Sequence, residues 1–258
     1  MKKLISAVIG LAFIGLAATG AQAGMKVKIG TEGAYPPFNS LDSNGKLVGF
    51  DIDIANALCA AADFDCEFVV QDWDGIIPGL LAKKYDAIVA SMSITEERKQ
   101  KVDFSDKYYS TPAKFFAKKG SGLDISKSGL KGKAIGVQRA TIHENFLRDN
   151  FGDTADIKAY ATQDEVYLDL VSGRLDGGIA DSVAVDDGFL KTDAGKDFAF
   201  FGPDFTDPKW FGPGAGIAVR KGEPELLNAL NAALKKILAN GTYKKINDKY
   251  FDFNVYGN

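Results

Sequence analysis

The sequence predicts an α/β protein built from two similar lobes. Apolar segments with strand character alternate with helical patterns through most of the chain, and such alternation argues for parallel sheets flanked by helices. One pattern also occurs twice. Lys84-Tyr85-Asp86-Ala87-Ile88-Val89-Ala90-Ser91 and Arg174-Leu175-Asp176-Gly177-Gly178-Ile179-Ala180-Asp181 each run basic, apolar, Asp, short strand, polar.

The elements follow in order. Lys2 and Lys3 precede an apolar core, Leu4 to Ala18, and Ala21-Gln22-Ala23 has the small-residue form of a cleavage site. Residues 1–23 are therefore expected to be a signal peptide, too short in its apolar core for a membrane span, with Gly24 starting the mature chain. Lys26 to Thr31 reads as a strand, and Phe50, Ile54, Ala57 and Leu58 mark a helix. Glu67 to Val70 is a second strand, Ile76, Ile77, Leu80 and Leu81 a second helix, and Asp86 to Ala90 a third strand. The theme repeats with the strand Lys133 to Val137, a capping box at Thr141 and Glu144, a strand Ile157 to Tyr160, and a helix through Val166, Tyr167, Leu170 and Val171. Gly212-Pro213-Gly214-Ala215-Gly216 comes before a strand, so it lacks the strand-to-helix order of a phosphate-binding loop and reads as a crossover between lobes. Pro224 opens a helix with a stripe of Leu226, Leu227, Leu230, Leu234, Ile237 and Leu238, which Gly241 closes before a last helix, Ile246 to Tyr250. The expected partition is residues 24–111 with 213–258 as lobe 1, and 112–212 as lobe 2.

Composition removes several function classes. Without Lys2 and Lys3 the 31 basic residues become 29 against 34 acidic ones, a net charge of −5, and no polybasic run occurs. That argues against nucleic acid as a partner. Cys59 and Cys66 are the only cysteines, and in an exported chain a close pair reads as a disulfide. No zinc spacing is present and His143 is the sole histidine, so no metal or cofactor is expected. Neither a G-x-S-x-G elbow nor an H-E-x-x-H motif occurs, so the sequence offers no catalytic constellation.

The most informative segment is Ser91-Met92-Ser93-Ile94-Thr95-Glu96-Glu97-Arg98. Thr95 is a good N-cap and the two acids suit a first helical turn. Arg98 does not, because a cation there opposes the helix dipole. Either an anion shared by its guanidinium and free backbone N–H groups offsets the cost, or Arg98 is a surface residue paired with Glu96 or Glu97. Other candidates sit at loop ends. Tyr35 and Trp73 could sandwich a flat or elongated cation beside Glu32, or could simply cover the core. Asp181, at a strand end, could take an ammonium group or merely form a turn. Thr141 could offer backbone N–H groups, or be an ordinary cap.

Glu32-Gly33-Ala34-Tyr35-Pro36-Pro37-Phe38, Gly49-Phe50-Asp51-Ile52-Asp53, Asp86-Ala87-Ile88 and the segment Ser91 to Arg98 resemble the periplasmic polar amino acid binding proteins of ABC importers. Arg174-Leu175-Asp176 and the ending Lys249-Tyr250-Phe251-Asp252-Phe253-Asn254-Val255-Tyr256-Gly257 point to the lysine/arginine/ornithine and histidine branch, most like its arginine/ornithine members. The resemblance covers the whole mature chain, including the Cys59 and Cys66 spacing. It implies a two-lobed periplasmic binding protein fold of type II with two hinge crossings. It also implies a monomeric periplasmic receptor, not an enzyme, that hands a basic amino acid to an inner-membrane permease. By resemblance, Arg98 binds the ligand α-carboxylate, helped by backbone at Ser93 and Ile142 and by Thr141. Ser91, Ser93 and Asp181 hold the α-ammonium. Tyr35 and Trp73 stack on the side chain, Glu32 meets its cationic end, and Ala90 and His143 line the same site. The sequence departs from the branch at Glu32 (often Asp), Trp73 (Phe), Ala90 (Ser), Ala140 (Gly) and His143 (Gln). These departures leave the α-amino-acid clamp intact and leave open the side-chain preference, including an opine. A dehydratase on the same fold is the enzymatic alternative.

Overall fold

The alternating pattern resolves into two five-stranded sheets, one per lobe. The structure, a computed structural model, describes residues 24–257. The expected signal peptide, residues 1–23, lies outside the described residues.

The chain begins with β1 (Met25–Thr31), a small antiparallel ribbon of β2 (Ala34–Tyr35), β3 (Asn39–Leu41) and β4 (Leu47–Val48), then α1 (Phe50–Ala62) and β5 (Phe64–Val70). Next come α2 (Ile76–Leu81), β6 (Ala87–Ile88), α3 (Glu96–Lys99) and β7 (Val102–Tyr109). The second sheet is made by β8 (Ala113–Lys118), β9 (Ala134–Gln138), α4 (Ile142–Phe151), β10 (Asp156–Tyr160), α5 (Gln163–Val171), β11 (Gly177–Asp181), α6 (Ser182–Val185), β12 (Phe198–Phe205) and α7 (Pro208–Phe211). The chain then returns with β13 (Ala215–Arg220), α8 (Pro224–Ala239) and α9 (Thr242–Tyr250).

Sheet orders are β5-β1-β6-β13-β7 and β10-β9-β11-β8-β12. In each, the first three strands are parallel and the last two pair antiparallel. The fourth strand of each sheet, β13 or β8, is the one that arrives from the other lobe.

The repeated sequence pattern has the same structural job in both lobes. Asp86 accepts the Lys28 N–H at 2.9 Å, and Asp176 accepts the Ala134 N–H at 2.9 Å. The preceding apolar residue packs on a glycine of the central strand. A Cβ on Gly30 would lie 2.6 Å from the Tyr85 ring, and one on Gly136 would lie 2.5 Å from Leu175. Each Asp thus fastens the start of its short strand to the neighbouring one, and each Gly-to-apolar contact sets the crossover height.

Most expected elements are present, with informative differences. The expected strand Asp86 to Ala90 contributes only Ala87–Ile88 to the ladder. Beyond it the backbone leaves the sheet and runs beside the returning chain, with Gly216 N donating to Met92 O at 2.9 Å and Ile94 N to Gly214 O at 2.9 Å. The edge strand β5 starts three residues earlier than expected. Asp65 and Glu67 hide its period, because an edge strand alternates polar residues outward with the inward Phe64, Cys66 and Phe68. No capping box forms at Thr141. Glu144 Oε2 instead accepts from Ala140 N at 2.6 Å, while Thr162 and Glu165 form a box that the sequence reading overlooked.

The disulfide Cys59–Cys66 joins the end of α1 to β5 with Cα atoms 6.2 Å apart. The double variant Cys59→Ser/Cys66→Ser should unfold with about 2–3 kcal/mol less free energy, the chain-entropy value for so short a loop. Urea unfolding measures it, and because the bridge is remote from the interlobe cavity, ligand affinities should stay within about twofold.

Candidate ligand-binding site

Strand ends and helix starts from both lobes meet around one cavity, as they do at the carboxyl edges of open α/β sheets. Glu32, Tyr35, Trp73, Ala90, Ser91, Ser93 and Arg98 line it from lobe 1. Gln138, Thr141, Ile142 and His143 line it from lobe 2. Asp181 lines an adjoining cavity that shares Tyr35, Ser91, Ser93, Ile142 and His143. All eleven residues expected from the sequence therefore fall on two connected cavities, joined by Gln138, which was not anticipated.

Arg98 occupies one end. Thr95 Oγ1 caps α3 by accepting the Arg98 N–H at 3.3 Å, and Arg98 Nη1 donates to Ser93 O at 3.0 Å. The guanidinium carbon lies 5.2 Å from the centre of the Trp73 ring. The surface-pair alternative is not what the chain adopts. Glu96 pairs with Lys99 at 2.9 Å, Glu97 accepts from Asn145 at 3.0 Å, and among the described residues no carboxylate forms an ion pair with Arg98. The dipole argument also changes, since α3 has four residues and Arg98 lies as near its last turn as its first. Burial pulls the Arg98 pKa down to about 10, leaving it cationic at neutral pH.

Facing Arg98 is the start of α4. The first N–H groups of a helix have no intrahelical acceptor, so Ile142 and His143 present free donors at its positive end. The Thr141 hydroxyl donates to Gln138 O at 2.7 Å and accepts from Glu144 N at 3.2 Å, so it is committed to capping. His143 is half-buried, with its ring 6.0 Å from that of Phe211. Burial and the Arg98 charge push its pKa down to about 3, so the imidazole is neutral.

The middle of the site is built on Ser91, which sits at φ 53. Its N–H donates to Tyr108 Oη at 2.9 Å and its hydroxyl to Asp51 Oδ2 at 2.9 Å. Asp51 is fully buried and also accepts from Asn39 at 2.8 Å and Tyr108 at 2.7 Å. Burial pushes its pKa up to about 6 against those hydrogen bonds. Because the Ser91 hydrogen is committed to Asp51, its oxygen is left to accept, which suits a cation. Asp181 forms the turn that the sequence allowed. Its Oδ1 caps α6 by accepting from Val183 N at 2.9 Å and Ala184 N at 3.2 Å, and Oδ2 accepts from the Thr111 hydroxyl. Burial pushes its pKa up to about 6.

Glu32 marks the other end. It is 7% exposed, and its Oε1 accepts from Gln138 Nε2 at 2.6 Å. Burial pushes its pKa up to about 7, opposed by the Gln138 bond. Trp73 serves both the core and the cavity, and its Nε1–H donates across the lobes to Ala140 O at 3.0 Å. Ala140 adopts φ 58, a left-handed conformation in which a Cβ is unfavourable. Arg139 pairs with Asp74 at 2.7 Å, again across the lobes. With Glu32–Gln138 and Glu97–Asn145, these contacts hold the lobes closed. Among the described residues no group of His, Cys, Asp or Glu could hold a metal ion, and no helix is long and apolar enough to cross a membrane.

The raised Glu32 pKa has a thermodynamic consequence. Between the unfolded value, about 4.3, and about 7, the folded state holds more protons, so the Glu32 contribution to stability declines as pH rises through that window. The stability of the native protein minus that of Glu32→Gln should fall between pH 4.5 and about 7 and level off above; a flat difference in urea unfolding across that range would contradict the assignment.

Known proteins resemble this chain over most of its length. The L-arginine-binding protein of Pseudomonas aeruginosa is 52% identical over 232 residues, 90% of either chain. The lysine/arginine/ornithine-binding periplasmic protein of Escherichia coli is 47% identical, covering 90% of this chain and 89% of its own. The solved structure of an ancestral arginine-binding protein bound to arginine superposes with a TM-score of 0.81 at 39% identity, over 89% of this chain and 99% of that one. Residues 27–253 match a single family model, and the chain belongs to the bacterial extracellular solute-binding proteins, family 3.

Proposed function

We propose that this protein is a periplasmic receptor for a basic L-amino acid, arginine foremost, which closes over its ligand and delivers it to an ABC permease. One observation carries the reading. Two adjoining cavities bring together an ion-pair-free guanidinium, a helix N-terminus, the Ser91 and Asp181 acceptors, and the buried Glu32 carboxylate. That is the charge pattern of an amino acid zwitterion with a cationic side chain. Arg98 with the Ile142 and His143 N–H groups takes the α-carboxylate. Ser91, Ser93 and Asp181 take the α-ammonium. Tyr35 and Trp73 flank the side chain, and Glu32 takes its charged end. The names of the relatives, which bind arginine, lysine and ornithine, support the same ligand class.

The working parts are residues 24–111 with 213–258, and 112–212, hinged where the chain crosses between sheets. Closure is favoured because only the closed form offers contacts from both halves. The signal sequence at residues 1–23 directs export, and the protein acts as a monomer. It has no chemistry of its own. Glu32 and Asp181 place acids where a dianionic dehydratase substrate would need cations.

Calorimetry across arginine, ornithine, lysine, histidine, octopine and glutamine tests the reading. Arginine should lead, and ligand at 100 times Kd should add about 2.7 kcal/mol to stability. An absence of binding by every basic amino acid overturns it. Two variants separate the ends of the site. Arg98→Ala should weaken all amino acids alike, by about 100-fold or more, since it removes one partner of a buried charge pair. Glu32→Gln should cost arginine about 10- to 100-fold and glutamine less than about threefold, because only the cationic side chain needs the carboxylate. Equal losses for arginine and glutamine contradict the placement of the side chain.

A further inference from the structure

We infer that Gln138 is a specificity-determining residue that, with Glu32, favours a guanidinium over a primary ammonium at the far end of the cavity. The inference rests on the basic amino acid reading of this cavity and adds a member to it. Gln138 ends β9 and is 3% exposed. Its Nε2 donates to two acceptors, Ala161 O of its own lobe at 3.2 Å and Glu32 Oε1 of the other lobe at 2.6 Å. A primary amide has two N–H groups, and these contacts use both. They also fix its orientation, because an amide flipped end for end would face two acceptors with its oxygen. Gln138 Oε1 therefore remains as an acceptor with no donor among the described residues, on a side chain that lines the cavity.

The far end thus presents two acceptors from opposite lobes, the Glu32 carboxylate and the Gln138 carbonyl. A guanidinium carries five N–H donors spread over a rigid plane and can address both at once. An ammonium is a compact centre with three donors on a flexible stem, so it gains less from a second acceptor fixed in one plane than a rigid guanidinium does. An apolar residue at position 138 would remove the second acceptor and the donor that orients Glu32. The ligand side chain would then be read by lobe 1 alone.

The test is calorimetry of arginine, lysine and ornithine against the native protein, Gln138→Leu and Gln138→Met. Methionine keeps the unbranched length of glutamine, and a single cooperative urea transition reports a folded variant. Both variants lose an interlobe contact and so weaken every ligand, but arginine should lose about tenfold more than lysine or ornithine, the loss expected of a hydrogen bond to a charged group. The arginine-to-lysine ratio should therefore fall. An unchanged ratio in Gln138→Met, with the native protein still preferring arginine, overturns the role of Gln138 and leaves the receptor reading standing. A native protein that binds none of the three overturns both.

Discussion

The architecture depends on keeping charged groups enclosed and apart across two adjoining cavities between the lobes. Arg98 has backbone and aromatic partners but no carboxylate in ion-pair contact, while Glu32, Asp51 and Asp181 are all nearly or fully enclosed. Removing such groups from water is costly unless each is satisfied. Hydroxyls and amides satisfy the acids in part, through Ser91, Tyr108 and Asn39 at Asp51, Thr111 and α6 at Asp181, and Gln138 at Glu32. In the proposed receptor a zwitterion with a positive tail supplies the complementary charges, and its affinity comes from completing an arrangement that the fold has already set up and only partly neutralised.

The two sheets explain how those charges can be fixed so closely. Each lobe delivers functional side chains from the ends of its parallel strands: Glu32 after β1, Gln138 at the end of β9, and Asp181 at the end of β11. Each lobe sets its short inner strand with the same Asp-to-backbone bond, at Asp86 and Asp176. The returning strand adds a further constraint, since Gly214 and Gly216 hold Met92 and Ile94, on either side of Ser93. A position such as Ser91, at φ 53, is tolerable only because Tyr108 and Asp51 hold it from behind.

Much of this was legible in the sequence, and the residues that were not share a cause. Alternation, the repeated Asp pattern and the polar residues at strand ends gave the lobes and the cavity lining. Period counting missed the start of β5 because an edge strand interleaves acids with its inward residues. The Thr141 cap was legible, but not the destination of the Glu144 side chain, because Ala140 turns left-handed and presents its own N–H instead. Asp51 is visible in the sequence only as part of the motif Gly49 to Asp53. Its support of Ser91 is a contact across 40 residues that no local pattern encodes. Gln138 had one visible signal, a polar residue closing the apolar run Ala134-Ile135-Gly136-Val137. Its partner lies 106 residues away in the other lobe.

The same groups couple ligand to protons. In the closed form without ligand, burial favours the neutral carboxyl at Glu32, Asp51 and Asp181, with pKa values of about 7, 6 and 6. A cationic ligand favours the ionised form of each acid it meets. In the proposed receptor protons and ligand therefore compete for Glu32 and Asp181, and binding releases protons. Glu32 sits furthest up this scale and at the end that only a basic side chain reaches. In the proposed receptor every amino acid should therefore displace protons at Asp181, and a basic side chain should displace more, at Glu32.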